Sequence, residues 1–208
     1  MIYRDPHMKS HRFLLAAMSS PANLSAQFPY TRKQLTPHDP SDVNFYASPR
    51  FVNHIDDHAI SALSAFYENA LPQGRILDIC SSWVSHISPK HLGSQRIIGV
   101  GMNAKELEAN PVLNGWAVHD LNREPYFFQS LWGKLQPGKR DRLIDENKFD
   151  AVICNVSIDY LSSPLEVTEG MADALQPGGW AYMVISNRCF PTKVGFAQRE
   201  HHHCAHYL

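Results

Sequence analysis

The sequence has no surplus of either charge, little glycine and no long apolar run. Its 208 residues carry 19 Lys and Arg against 20 Asp and Glu, a formal net charge of −1. A basic excess is the footprint of a nucleic-acid or anionic-membrane partner, and its lack argues against both. No stretch approaches the ~18–20 consecutive apolar residues that span a bilayer. The four cysteines, Cys80, Cys154, Cys189 and Cys204, form no CxxC pair and stand far apart, so no disulfide scaffold is expected. A reducing compartment, the cytoplasm, is the default. A GxGxxG turn is also lacking, which argues against a nicotinamide-dependent enzyme.

What is present divides by composition. Residues 1–45 are rich in Pro, Ser and Ala, and the first 38 hold one acid, Asp5, against Arg4, Lys9, Arg12, Arg32 and Lys33. That composition reads as a flexible N-terminal segment or as a transit peptide, which would place the protein in a mitochondrion or chloroplast. Residues 191–208 lack periodicity and read as an irregular tail. There His201, His202, His203 and His206 stand beside Cys204, a cluster expected to bind metal only adventitiously, so no metal site is predicted.

Between them, 46–190 has the pattern of one domain. Ile55, Ala59, Ile60, Leu63, Phe66 and Ala70 lay an apolar stripe along a helix over 53–71. Five short apolar runs follow as strands: RILDIC (75–80), RIIGVG (96–101), WAVH (116–119), FDAVIC (149–154) and WAYMVIS (180–186). Ser81 and Ser82 read as N-caps of a short helix. Asn103 with Glu106 starts a helix that ends near Asn110-Pro111. Ser163-Pro164-Leu165-Glu166 starts another, which Pro177-Gly178-Gly179 ends. The stretch 122–148 reads as a surface insertion with Tyr126, Phe127, Phe128 and Trp132 packed back on the body. Strands alternating with helices, each strand almost wholly apolar, predict an α/β fold: a doubly wound, mainly parallel Rossmann-like sheet with helices on both faces. Ligands of such sheets bind beyond the carboxyl ends of the strands, at the switch point beside the first one.

The order RILDIC, IIGVG, AVHD, FDAVICN, LQPGGWAYMVIS resembles the class I methyltransferases that use S-adenosylmethionine, over roughly 74–186. More narrowly, FYASPRFVNHIDD, LDICSSWVSH, GVGMNAKELEANP and SNRCFPTK resemble an uncharacterised methyltransferase-like group of the type 11 kind. The resemblance implies S-adenosylmethionine as cofactor and a small molecule as methyl acceptor. It implies cofactor contacts from Asp78, Cys80, Ser81, Ser82, Asn103, Asp120 and Leu121, with Asn155, Val156 and Ser157 facing the transferred methyl. No catalytic residue follows from it. His86 suits either a general base for a hydroxyl acceptor or a plain helix-surface residue.

Three departures from the family pattern stand out. The turn after the first strand should be rich in glycine, yet 78–84 has none, and Cys80 and Ser82 occupy the expected glycine positions. The acid that holds the ribose is replaced by Gly101, leaving Asn103 to serve either as a hydroxyl partner or as a helix cap. After the fifth strand the family adds a helix and an antiparallel hairpin that closes the sheet edge; only 22 residues follow Ser186 here. Trp180–Ile185 is therefore expected to be a bare apolar edge, prone to self-association. These departures keep open a second reading, a non-catalytic binding or assembly module that retains the fold.

Overall fold

A computed structural model describes residues 14–18, 32–36, 41–88, 95–136, 148–186, 190 and 192–193. The cluster of histidines with Cys204, and Cys189, lie outside them. The five apolar runs form β2 (Arg75–Ile79), β3 (Arg96–Gly101), β4 (Gly115–Val118), β5 (Phe149–Asn155) and β6 (Leu175–Ile185). These five pair in parallel, and β1 (Leu14–Met18) joins antiparallel, giving the order β1-β6-β5-β2-β3-β4. The doubly wound, mainly parallel α/β fold is the observed one.

Both faces of the sheet are covered, which is why each strand is apolar on both sides. On one face Leu77, Ile79, Val100, Val152 and Cys154 pack under α5 (Phe128–Lys134) and α6 (Pro164–Ala174). On the other, Ile76, Ile97, Ala151 and Ile153 pack under α3 (Asp57–Ala70), whose Ala59, Leu63 and Tyr67 point inward at helical spacing. Asp56 caps α3 by accepting from the Ala59 amide at 2.9 Å, so the helix starts there, three residues later than the apolar stripe suggests. Short helices α1 (Arg32–Leu35), α2 (Asp42–Phe45) and α4 (Ala104–Ala109) complete the description. Among the described residues no helix is long and apolar enough to cross a membrane.

Three expectations are corrected, and one is met in part. The outer edge of β6 is not bare. β1 pairs along it from Leu14↔Ile185 to Met18↔Ala181, so its backbone groups find partners in a segment whose composition reads as unstructured. Ser81 and Ser82 start no helix; the Ser81 amide donates to Val100 O at 2.8 Å, extending the sheet, and its hydroxyl goes to Asp78. Within 122–148, Phe127, Phe128 and Trp132 pack back on the body as expected, from and beside α5, with the Trp132 ring stacked on Phe149 at 5.9 Å between centroids, while Tyr126 stays exposed. Finally, β6 begins at Leu175, which pairs with Phe149. The chain then loops through Pro177-Gly178-Gly179 before Trp180 resumes pairing at Ala151.

The edge pairing makes a testable statement. Removing residues 1–18 exposes the β6 edge, and the truncated chain should self-associate with rising concentration where the full chain does not. Sedimentation velocity over a hundredfold concentration range measures it, and a truncated chain that sediments like the full one refutes the protective role of β1.

Candidate functional site

The strand order reverses between β2 and β5, and a cleft opens over the carboxyl ends there. Its cavity is about 160 Å³. An apolar cavity of ~150 Å³ accommodates benzene, so this space suits an organic ligand better than a lone ion.

Three non-glycine residues with positive φ line the cleft: Cys80 (+53°), His86 (+57°) and Val156 (+44°). Such backbone costs about 1–3 kcal/mol per residue and persists only where the surroundings impose it. At Cys80 the imposing group is Asp78. Its buried Oδ2 accepts from Ser81 Oγ at 2.7 Å and Ser85 Oγ at 2.6 Å, bending the chain back over the strand end. Asn110 clamps the same loop, donating to Ser82 O at 2.8 Å and Ser85 Oγ at 2.9 Å. Cys80 thus takes the left-handed backbone that a glycine turn would take, without a glycine.

This crossing explains Gly101. A Cβ built there would overlap the main-chain oxygen of Ser81, so no acidic side chain can stand at this position. Asn103 does not stand in for it freely. Its Oδ1 accepts from the Lys105 and Glu106 amides at 3.0 and 3.2 Å, capping α4, and its Nδ2 donates to Tyr46 O and Ala47 O at 2.8 and 3.2 Å.

The other sequence candidates also gather at the cleft. Asp120 Oδ1 accepts from the Asn122 amide at 2.9 Å and the Arg123 amide at 3.3 Å, a turn that holds the carboxylate at the end of β4. Leu121 is buried beside it. Asn155 accepts from the Tyr67 hydroxyl at 2.5 Å and donates to Ser85 O at 3.2 Å, while Ser157 donates to Asn155 O at 2.7 Å. The Ser82 hydroxyl has no partner among the described residues and remains available to a ligand.

Sequence reasoning missed the roof. Phe45, Tyr46, Arg50, His54, Tyr160 and Phe190 close over the cleft. The first four lie in the FYASPRFVNHIDD motif, the one signal that could have pointed to them. The roof is fastened by the fully buried Lys193, whose ammonium pairs with Asp42 and sits 5.2 Å from the Phe45 ring centre. Asn122 ties Asp42 to the loop after β5, donating to Asp42 Oδ2 at 2.7 Å and Tyr160 O at 3.2 Å.

Burial sets the protonation pattern. Asp78 is pushed up to about 6 by desolvation, opposed by the Ser85 and Ser81 hydroxyls. Asp159, on the short 3₁₀ turn after β5, is pushed up to about 7 by burial, and its Oδ1 has no partner among the described residues. His86 is lowered to about 4 by burial and then by His54, and His54 is itself lowered by burial and by Arg50. Both imidazoles are therefore neutral near pH 7. The Cys154 thiol is raised well above its ordinary value by its hydrogen bond to Cys80 and by burial. Among the described residues no three His, Cys, Asp or Glu side chains converge as metal ligands.

No family model and no curated protein matches the chain. Among solved structures it is similar to S-adenosylmethionine-dependent methyltransferases. One from Clostridium acetobutylicum is 16% identical with a TM-score of 0.38, over 64% of this chain and 51% of that one. A TehB-like enzyme from Corynebacterium glutamicum is 15% identical with a TM-score of 0.40, over 61% and 66%. A third, from Geobacter sulfurreducens in complex with S-adenosylhomocysteine, is 17% identical with a TM-score of 0.36, over 66% and 51%. The chain thus spans about half to two-thirds of the length of these structures.

Two predictions follow from the geometry. Gly101→Asp forces a side chain into the Ser81 carbonyl. It should cost about 1–3 kcal/mol or more in stability. Urea denaturation measures it, and a variant as stable as the unmodified chain overturns the clash. The second concerns pH. Asp78 and Asp159 hold protons in the fold that the unfolded chain releases near pH 4, so their stabilising contribution is full below that and is lost as pH rises through about 6 and about 7. At roughly 1.4 kcal/mol per tenfold change in proton affinity, the loss is about 3 kcal/mol for Asp78 and about 4 kcal/mol for Asp159. Asp159→Asn should flatten the decline between pH 4 and 7; a denaturation series that keeps its slope refutes the assignment.

Proposed function

We propose that the chain binds S-adenosylmethionine in this cleft and is a methyltransferase-like protein acting on a small molecule, of the type 11-like group its motifs resemble. One observation carries the reading. At the switch point, the turn after β2 holds a left-handed residue where a ligand must approach the backbone closely, and a carboxylate fixed by its own turn stands at the end of β4.

The donor set fits the two ends of this cofactor. Asp120 keeps its Oδ2 for the adenine amine beside the apolar Leu121. The Cys80 and Ser82 main chain and the free Ser82 hydroxyl suit the polar methionine end. Asp78, Ser81 and Asn103 belong to the site as the residues that hold this turn and the start of α4 in place. For the ribose, the acid that lines the cleft beyond β3 is Glu106, one of whose oxygens accepts from the Arg50 amide at 2.7 Å. Asn155, Val156 and Ser157 form the wall toward the methyl group. The cofactor, when bound, supplies an electrophilic methyl on a sulfonium. The protein's task is to align an acceptor with it and exclude water, so positioning carries most of the effect. His86, neutral and lining the cleft, can accept a proton from an acceptor hydroxyl.

One observation favours the second reading, a binding or assembly module without methyl transfer: the ribose acid position is sterically closed at Gly101. Calorimetric titration of the full chain with S-adenosylhomocysteine separates the two. Binding is expected, and Asp120→Ala should weaken it by about 1.5–3 kcal/mol through loss of a charge-assisted hydrogen bond. Asp120→Asn, which keeps an acceptor for the turn, should weaken it less. No binding by the unmodified chain would falsify the cofactor reading.

A further inference from the structure

The roof contains two cations with opposite fates. Lys193 is buried but neutralised by Asp42 and embraced by Phe45 and Tyr46. Arg50 is half-buried, and its guanidinium lies 4.3 Å over the Phe45 ring. Among the described residues its guanidinium makes no hydrogen bond and no ion pair. Glu106 takes only its main-chain amide, at 2.7 Å. A partly buried cation without an anion is costly, and a guanidinium presents a planar fork of donors that matches a carboxylate with two parallel hydrogen bonds.

The surroundings of that guanidinium are aromatic. The Phe190 ring lies 5.5 Å from Phe45, 5.3 Å from His54 and 5.9 Å from Tyr160, centre to centre. The Phe45 and His54 contacts are edge-to-face, and all four rings, with Tyr46, line the cleft. Edge-to-face clusters favour a further planar ring over an aliphatic one of equal size. Of the other charged groups in the roof, Asp42 is held by Lys193 and Asn122 and does not compete for Arg50, while Glu106 holds only the Arg50 amide.

We infer that the roof is a binding subsite for an aromatic acid, with Arg50 taking the carboxylate and the rings around Phe190 taking the arene. In naming this molecule the methyl acceptor, the inference rests on the function proposed above; the subsite itself does not. The experiment is calorimetric titration of the full chain with benzoate, benzamide, cyclohexanecarboxylate and inorganic phosphate, each with and without S-adenosylhomocysteine. Benzoate should bind at least tenfold more tightly than benzamide, which lacks the charge, cyclohexanecarboxylate, which lacks the arene, and phosphate, which lacks both ring and carboxylate. Arg50→Gln should lose at least tenfold in benzoate affinity, with a thermal melt reporting that it folds; the ligand series tests the same point without any variant. Equal affinity for benzoate and either analogue, with S-adenosylhomocysteine bound, overturns the aromatic-acid subsite alone. Selective benzoate binding without S-adenosylhomocysteine binding supports the subsite and overturns the methyltransferase reading. Binding of neither overturns both.

Discussion

Asp78 stands at the end of β2 with 1% of its surface exposed, and its carboxylate gathers the hydroxyls of Ser81 and Ser85. A buried carboxylate is tolerable only with donors on it, and here the chain supplies them from its own next turn. That requirement bends 80–86 back over the strand ends. Cys80 and His86 are held in left-handed backbone as a result, and the Ser81 carbonyl comes down on Gly101. The close approach of the main chain to Gly101 is a consequence of one pinned turn.

The roof depends on a second buried charge. Taking Lys193 and Asp42 out of water costs several kcal/mol per ion before their attraction is counted, so the pair is a weak source of net stability. Its effect is positional. It joins α2 to 192–193, and through Asn122 it reaches the ends of β4 and β5. Hydrophobic contacts would hold these segments together without fixing their register. An ion pair flanked by Phe45 and Tyr46 admits one arrangement, and that arrangement sets the rings over the cleft.

Strands and long helices were legible because burial on two faces leaves a continuous apolar run, as in RIIGVG and FDAVICN, and burial on one face leaves a helical stripe, as at Ala59, Leu63 and Tyr67. The switch-point cleft followed from strand order alone. The turn at Ser81 and Ser82 was misread because a serine hydroxyl serves a helix amide or a carboxylate equally well, and nothing local says which. Asn103 was ambiguous for the same reason, and its capping role emerges only once Tyr46 and Ala47 arrive from 57 and 56 residues away. The roof was illegible because its rings carry no periodicity; they meet through contacts such as Phe45 with Phe190 that no short window contains.

The edge of the sheet is the sharpest case. Inside the sheet, chain order is constrained, since parallel neighbours need a right-handed crossover long enough to hold a helix. The outer edge of β6 is under no such constraint. Its faces are already covered, with Val184 and Tyr182 in the core under α3 and Ala181 in the core opposite, so it lacks only partners for its peptide groups. Five residues running antiparallel provide them, from any part of the chain that can reach, and LLAAM does so. An edge-closing strand needs neither amphipathic alternation nor a place in the βα rhythm. Compositional reading therefore assigns such a segment to the tail, and the expectation of a bare edge arises from looking for closure only downstream of β6.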